Sequence, residues 1–138
     1  MDTNEGGVDI LYVEDDEVDI MATKKAFKKV NNLLTIEIAS DGVNALDKLY
    51  GTNGEKKITP PKMILLDVNM PKMNGIEFLR ILRSDVEFNS VAIYLLTVSY
   101  TSQEKLAIHD LKVSGCIVKP LEYSDALNIY WSLFSTNN

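Results

Sequence analysis

The chain has 138 residues, of which 46% are hydrophobic and 25% charged, as expected for one compact globular domain and not for a disordered or fibrous chain. Its formal net charge of -6 argues against non-specific binding to nucleic acid or anionic membranes, so we expect protein partners. The single cysteine, Cys116, excludes an internal disulfide framework and a multi-cysteine zinc site. Without a signal-peptide pattern or a membrane-spanning apolar run, the sequence predicts one cytoplasmic domain over residues 1–138.

Five short apolar segments predict the strands of a parallel sheet, because strands buried on both faces are almost entirely apolar. In chain order they are 8–13, the alternating Leu34, Ile36 and Ile38, then Met63–Asp67, 91–96 and 116–118. Residues 50–62 collect glycines and prolines without periodicity, which predicts a surface connection.

Five helices are predicted where apolar residues recur at helical spacing. The first carries Ile20, Thr23, Phe27 and Val30, the second Ala45, Leu46 and Leu49, the third spans Gly75–Arg83, the fourth runs from Thr101 to a stop at Gly115, and the last carries Leu127, Tyr130, Trp131 and Phe134. Strands that alternate with helices predict an α/β sheet with right-handed crossovers and helices on both faces. Ligands of such sheets bind beyond the carboxyl ends of the strands.

Polar side chains follow the predicted strands at that edge. They are Glu14, Asp15 and Asp16 after the first strand, Asp67 and Asn69 after the third, Thr97 and Ser99 after the fourth, and Lys119 after the fifth. Two carboxylates about 4 Å apart repel by about 4 kcal/mol at an effective dielectric near 20, so the cluster needs a cation. Oxygen ligands in an open, hydrated site favour Mg²⁺.

The same set of groups is suited to phosphoryl transfer. Asp67 would attack phosphorus in line, the metal and Lys119 would offset charge on the equatorial oxygens, and Thr97 would donate a hydrogen bond. The attacking carboxylate is already an anion at neutral pH, so no general base is required. His109, the only histidine, is therefore not needed for the chemistry.

Four motifs resemble the receiver domain of two-component response regulators. They are Val-Glu-Asp-Asp at 13–16, Leu-Asp-Val-Asn-Met-Pro-Lys-Met-Asn-Gly at 66–75, Leu-Thr at 96–97 and Val-Lys-Pro at 118–120. Each motif alone is weak, but four in the right order at four predicted strand ends are specific. The resemblance implies a flavodoxin-like, doubly wound sheet with strand order 2-1-3-4-5.

The resemblance also implies a role for each matching residue. Asp67 would be the phosphoacceptor, and Asp15, Asp67 and the backbone carbonyl of Asn69 would ligate Mg²⁺, with Glu14 reaching the ion through water. Lys119 would pair with the carboxylate and then with the phosphoryl group, ahead of a cis peptide to the following proline. Thr97 would turn inward once phosphate arrives.

The implied phosphoryl donor is a phosphohistidine on a sensor histidine kinase. We expect no output domain, and the 50–62 loop and the Tyr130-Trp131 pair are similar to single-domain regulators that partner phytochrome-type kinases. Such a protein catalyses only its own phosphorylation and dephosphorylation. The downstream protein is not identified, and the face formed by the fourth helix, fifth strand and fifth helix is a candidate homodimer surface.

Two other functions compete with this interpretation. A phosphatase or phosphotransferase of the haloacid dehalogenase type also uses a strand-end Asp with Thr, Lys and Mg²⁺, but it places a second acid two residues later. Here that position is Asn69, which cannot exchange a proton near neutral pH. A phosphorylation-independent interaction domain is the other alternative, and the complete set of Asp, Thr and Lys argues against it.

Some nearby residues are expected to have only structural roles. Asp16 and Asp19 are each interpreted as a helix cap or a solvated loop residue. Cys116 is interpreted as a small core residue, and it lies where many receivers carry the aromatic side chain that rotates on activation.

Overall fold

A parallel sheet of five strands forms the centre of the protein in the computed structural model, which describes residues 7–68, 73–99, 105 and 109–134. The strands are β1 (Ile10–Val13), β2 (Ile36–Ala39), β3 (Met63–Asp67), β4 (Ala92–Thr97) and β5 (Gly115–Val118). All four pairings are parallel, in the order β2-β1-β3-β4-β5. The predicted α/β fold and its strand order are confirmed.

Four helices are described over their full length: α1 (Glu17–Val30), α2 (Gly42–Tyr50), α3 (Gly75–Arg83) and a C-terminal helix (Tyr123–Leu133). A short 3-10 turn, Val86–Phe88, follows α3. The predicted start of the fourth helix at Thr101 lies outside the described residues, whereas Lys105, His109 and Asp110 are helical. Among the described helices, none combines the length and the apolar character needed to cross a membrane.

Two apolar clusters cover the two faces of the sheet, because successive strand residues point to opposite sides. On one face, Leu11, Val13, Ile64, Leu66 and Leu95 pack with the buried residues of α2 and α3. On the other, Ile10, Tyr12, Met63 and Leu65 pack with the buried residues of α1 and the C-terminal helix. The sheet is therefore sealed on both faces, and its strand ends are left to form a site.

Two predicted details are wrong. Gly115 begins β5 instead of closing the fourth helix; the backbone turns earlier, at Lys112, whose φ is 56°. Trp131 does not belong to the buried stripe of the C-terminal helix, since its side chain is 61% exposed while Ala126 and Ile129 are buried. Positions 129 and 131 differ by about 200° around a helix, so one helix face cannot bury both.

Candidate functional site

Three carboxylates meet at the carboxyl edge of the sheet. Val13 of β1 is in register with Leu66 of the neighbouring β3, so the acids that follow these residues leave the sheet side by side. Oxygen atoms of Glu14, Asp15 and Asp67 lie within 4.8 Å of one another. Glu14 and Asp67 are buried whereas Asp15 is exposed, so the cluster opens to solvent on one side.

The backbone around Asp67 is fixed by its neighbours in the fold. The amide of Val68 donates to Leu96 O at 3.1 Å, and the amide of Gly75 donates to Val68 O at 3.1 Å. A Cβ atom at Gly75 would lie 2.7 Å from the Val68 Cα, which is closer than such atoms approach. Only glycine allows α3 to begin against the end of β3, which explains sterically why the motif at 66–75 ends in glycine.

Among the described residues, Lys119 supplies the positive charge of this site. Its Nζ lies 3.0 Å from Glu14 Oε1, 3.2 Å from Asp67 Oδ2 and 3.2 Å from Asp19 Oδ2. The amide of Lys119 donates to Thr97 O at 2.8 Å, and the Lys119-Pro120 peptide is cis, as predicted. Burial alone would lower the pKa of Lys119, but Glu14 and Asp67 outweigh burial and raise it above its ordinary value. The ammonium is therefore charged at neutral pH.

The raised pKa of Glu14 indicates that the Lys119 ammonium does not fully offset the negative charge of the cluster. Burial, the largest influence, and the nearby charge of Asp67 together raise the pKa of Glu14 to about 7, although Lys119 acts in the opposite direction. A buried carboxylate that binds a proton this readily would be stabilised in its ionised form by a second cation.

The set of donor atoms fits a hard divalent cation. Glu14, Asp15 and Asp67 offer only oxygen atoms, and the exposed side of the cluster leaves room for coordinated water. Of the predicted ligands, Asn69 lies outside the described residues. Within the described part of the chain, the three acids are the group that meets the geometry of a metal site.

Thr97 lies at the end of β4, where the sequence places it, and its side chain is fully buried. Its hydroxyl donates to Ser99 O at 2.7 Å and accepts from Ser99 N at 3.3 Å. The hydroxyl is thus bonded to its own loop in this state, which is compatible with a later turn toward a phosphoryl group.

Sequence reasoning missed two side chains that contact the site, Asp19 and Tyr12, and a third, Thr23, that supports one of them. Asp19 was interpreted as a helix cap or a solvated loop residue, yet it bonds Lys119, because α1 starts directly after β1 and its first turn faces the same edge. The sequence signal was its position three residues after Asp16, which is the N-cap of α1, one of the two roles expected for these acids. Tyr12 and Thr23 had no signal beyond core packing, but the Tyr12 hydroxyl bonds Glu14 and the Thr23 hydroxyl bonds that of Tyr12.

Comparisons with known proteins agree with this geometry. The family model of the response regulator receiver domain matches residues 10–130. A two-component response regulator from Legionella pneumophila, known from its crystal structure, is 53% identical, with a TM-score of 0.87 over 94% of this chain and 99% of that one. The phosphorylated cyanobacterial phytochrome response regulator RcpA is 26% identical, with a TM-score of 0.78 over 96% and 97% of the two chains. A probable methanogenesis regulatory protein of Methanothrix harundinacea, FilR2, is 30% identical over 116 residues, which cover 84% of this chain and 74% of FilR2.

Proposed function

Since the chain belongs to the response regulator receiver domain family, whose members take phosphoryl groups from histidine kinases and act on downstream targets, we propose that Asp67 is its phosphoacceptor. The observation that carries this assignment is the contact of Lys119 with Asp67 inside a cluster of three carboxylates. The nucleophilic acid, a positive charge and the oxygen atoms that can bind a metal ion therefore lie together at the end of β3.

In the proposed reaction, an Asp67 oxygen forms a bond to phosphorus as the bond from phosphorus to the donor imidazole nitrogen breaks. The imidazole keeps the electron pair of that bond, and the Asp67 carboxylate becomes an acyl phosphate. Lys119 stays within reach of the new oxygens and offsets their negative charge. Thr97 exchanges its bond to Ser99 for one to the phosphoryl group, which moves the loop after β4.

The divalent ion is proposed to be Mg²⁺. Asp15, Asp67 and the backbone carbonyl of Asn69 would hold it, with Glu14 bound through a water molecule. When bound, the ion supplies positive charge to the phosphoryl oxygens. The raised pKa of Glu14 and the 4.8 Å spread of the three carboxylates support this role.

We propose that the protein consists of a single receiver domain and acts in the cytoplasm. Its proposed downstream partner is a protein and not nucleic acid. A phytochrome-type histidine kinase is the proposed donor, supported by the likeness to the phytochrome response regulator RcpA. The candidate homodimer surface contains β5 and the C-terminal helix, where Val118 and Trp131 are exposed. Apart from its own phosphorylation and dephosphorylation, the chain is proposed to catalyse no reaction.

Two incubations, both with Mg²⁺, test this function against the alternatives. With acetyl phosphate, the intact mass should rise by one phosphoryl group. With a generic phosphate ester such as p-nitrophenyl phosphate, turnover should be absent, because Asn69 cannot supply the acid of a haloacid dehalogenase-type enzyme. Sustained hydrolysis of the ester would favour the phosphatase, and a protein that is never labelled would favour the interaction domain.

A further inference from the structure

A tyrosine hydroxyl lies buried within β1, behind the acidic cluster. Tyr12 has no exposed surface, and the other three residues of β1 are aliphatic. A phenylalanine would bury the same ring without removing a hydroxyl from water, so this hydroxyl requires hydrogen-bond partners to offset its desolvation.

Its partners form a chain that ends at Glu14. The Tyr12 hydroxyl lies 3.3 Å from Glu14 Oε1 and 3.2 Å from the Oγ1 of Thr23, which is buried on α1. The phenol has one proton for two neighbouring oxygens, and an ionised carboxylate only accepts. When Glu14 is ionised, as a cation requires, the Tyr12 proton is directed to Glu14 and the Thr23 hydroxyl donates to the phenol oxygen. The hydrogen bonds therefore run in one direction, from α1 through β1 to the acid.

This chain of bonds distinguishes the two oxygens of Glu14. Oε1 faces both Tyr12 and the Lys119 ammonium, at 3.3 and 3.0 Å, whereas Oε2 accepts a long bond of 3.4 Å from the Asp16 amide. Each carboxylate oxygen offers about two acceptor sites, so these contacts fill Oε1 and leave Oε2 with capacity. We infer that Tyr12, backed by Thr23, is a positioning residue that holds Oε1 inward and presents Oε2 to the hydrated cation.

The need for this support follows from the proposed function, on which the inference rests. Lys119 is expected to follow the phosphoryl group and thereby loosen its contact with Glu14 Oε1. Tyr12 does not touch the reacting atoms and keeps its bond to Oε1 throughout. Glu14 would then hold its orientation when the ammonium no longer fixes it.

The test measures Mg²⁺ binding by calorimetry without any phosphoryl donor. Tyr12→Phe keeps the buried ring and removes the hydroxyl. Groups that orient direct metal ligands typically contribute tenfold or more, and Glu14 acts through water, so we expect Mg²⁺ affinity to fall by a smaller factor, about fivefold. Tyr94→Phe is the matched control, because Tyr94 lies on β4 with its ring against Gly115, and it should bind Mg²⁺ like the unmodified protein. Thr23→Val should weaken Mg²⁺ binding in the same direction by a smaller factor.

The same substitution made in the Glu14→Gln variant distinguishes a positioning role of Tyr12 from a general effect on packing. If Tyr12 acts through Glu14, then Tyr12→Phe should cause no further loss of Mg²⁺ affinity once Glu14→Gln is present, because coupled residues are not additive. An affinity of Tyr12→Phe within about twofold of the unmodified protein, or an equal loss in both backgrounds, would overturn the inference. Should Tyr12→Phe fail to fold, as judged by circular dichroism, the Thr23→Val titration decides in the same way. An unmodified protein that binds no Mg²⁺ would overturn the metal site itself and this inference with it.

Discussion

The Nζ of Lys119 lies 3.2 Å from Asp67 Oδ2, in an ion pair that joins the loop after β5 to the end of β3. The side chains of Lys119 and Asp67 are only 17% and 5% exposed. Loss of either partner from such a pair leaves a poorly solvated charge behind, which is more costly than loss of a surface ion pair.

Lys119→Ala should therefore destabilise the protein when Mg²⁺ is absent. Glu14 and Asp67 would lose their shared cation, and we expect the free energy of unfolding to fall by about 3 kcal/mol. Added Mg²⁺ should recover most of that loss and bind more tightly than to the unmodified protein, since a competing positive charge is gone. Urea unfolding with and without Mg²⁺ measures both effects. Lys25→Ala, an exposed lysine of α1, is the control, and equal stability of the two variants without Mg²⁺ would refute the expectation.

Stability should depend on pH through Glu14. Its pKa rises from 4.5 to about 7 on folding, so the folded protein binds a proton more tightly than the unfolded chain between these values. The free energy of unfolding contributed by Glu14 should then decrease as pH rises from 4.5 to about 7, and Mg²⁺ should oppose this decrease by binding the ionised form. Urea unfolding across this range measures the slope. Glu14→Gln should remove the contribution of Glu14 to the slope. Identical slopes for the variant and the unmodified protein would contradict a raised pKa of Glu14.

Val98 should slow the loss of the phosphoryl group. It follows Thr97 at the end of β4, beside the proposed phosphoacceptor site, and the residue is 67% exposed. A branched side chain there would shield the acyl phosphate from water, so Val98→Ala should shorten the phosphoryl lifetime by about threefold. Intact-mass spectra over time give the lifetime. Val86→Ala, at an 82% exposed site beyond α3, is the control and should leave the lifetime unchanged. An unaltered lifetime in Val98→Ala would show that Val98 does not shield the phosphoryl group.

Thr97, and not Cys116, should transmit phosphorylation to partners. Cys116 lies beside Leu95 in the sheet and is half-buried, and a thiol is too small to replace a rotating ring. Thr97→Ala should weaken phosphorylation-dependent dimerisation or partner binding, whereas Cys116→Ala should leave it nearly unchanged. Light scattering with and without beryllofluoride and Mg²⁺ compares them. If Cys116→Ala abolished the response as fully as Thr97→Ala, the signal would run through position 116.

The strand ends could be predicted from sequence because buried parallel strands are marked by apolar segments that stop at charged residues. Met63–Asp67 and Gly75–Arg83 have the predicted bounds, since an acid and a glycine mark their limits. The contacts of Asp19 and Tyr12 could not be read in this way. They depend on how α1 lies over the sheet, and a tyrosine within an apolar strand carries no sign of where its hydroxyl points.

Phosphorylation of Asp67 is the central claim, and intact-mass spectrometry after incubation with acetyl phosphate and Mg²⁺ tests it most directly. The unmodified protein should gain one phosphoryl group, and Asp67→Asn, which keeps the shape but loses the anionic nucleophile, should gain none. Asp85→Asn is the matched control, because Asp85 caps the turn after α3 away from the site, and it should be labelled like the unmodified protein. Full labelling of Asp67→Asn would contradict the account.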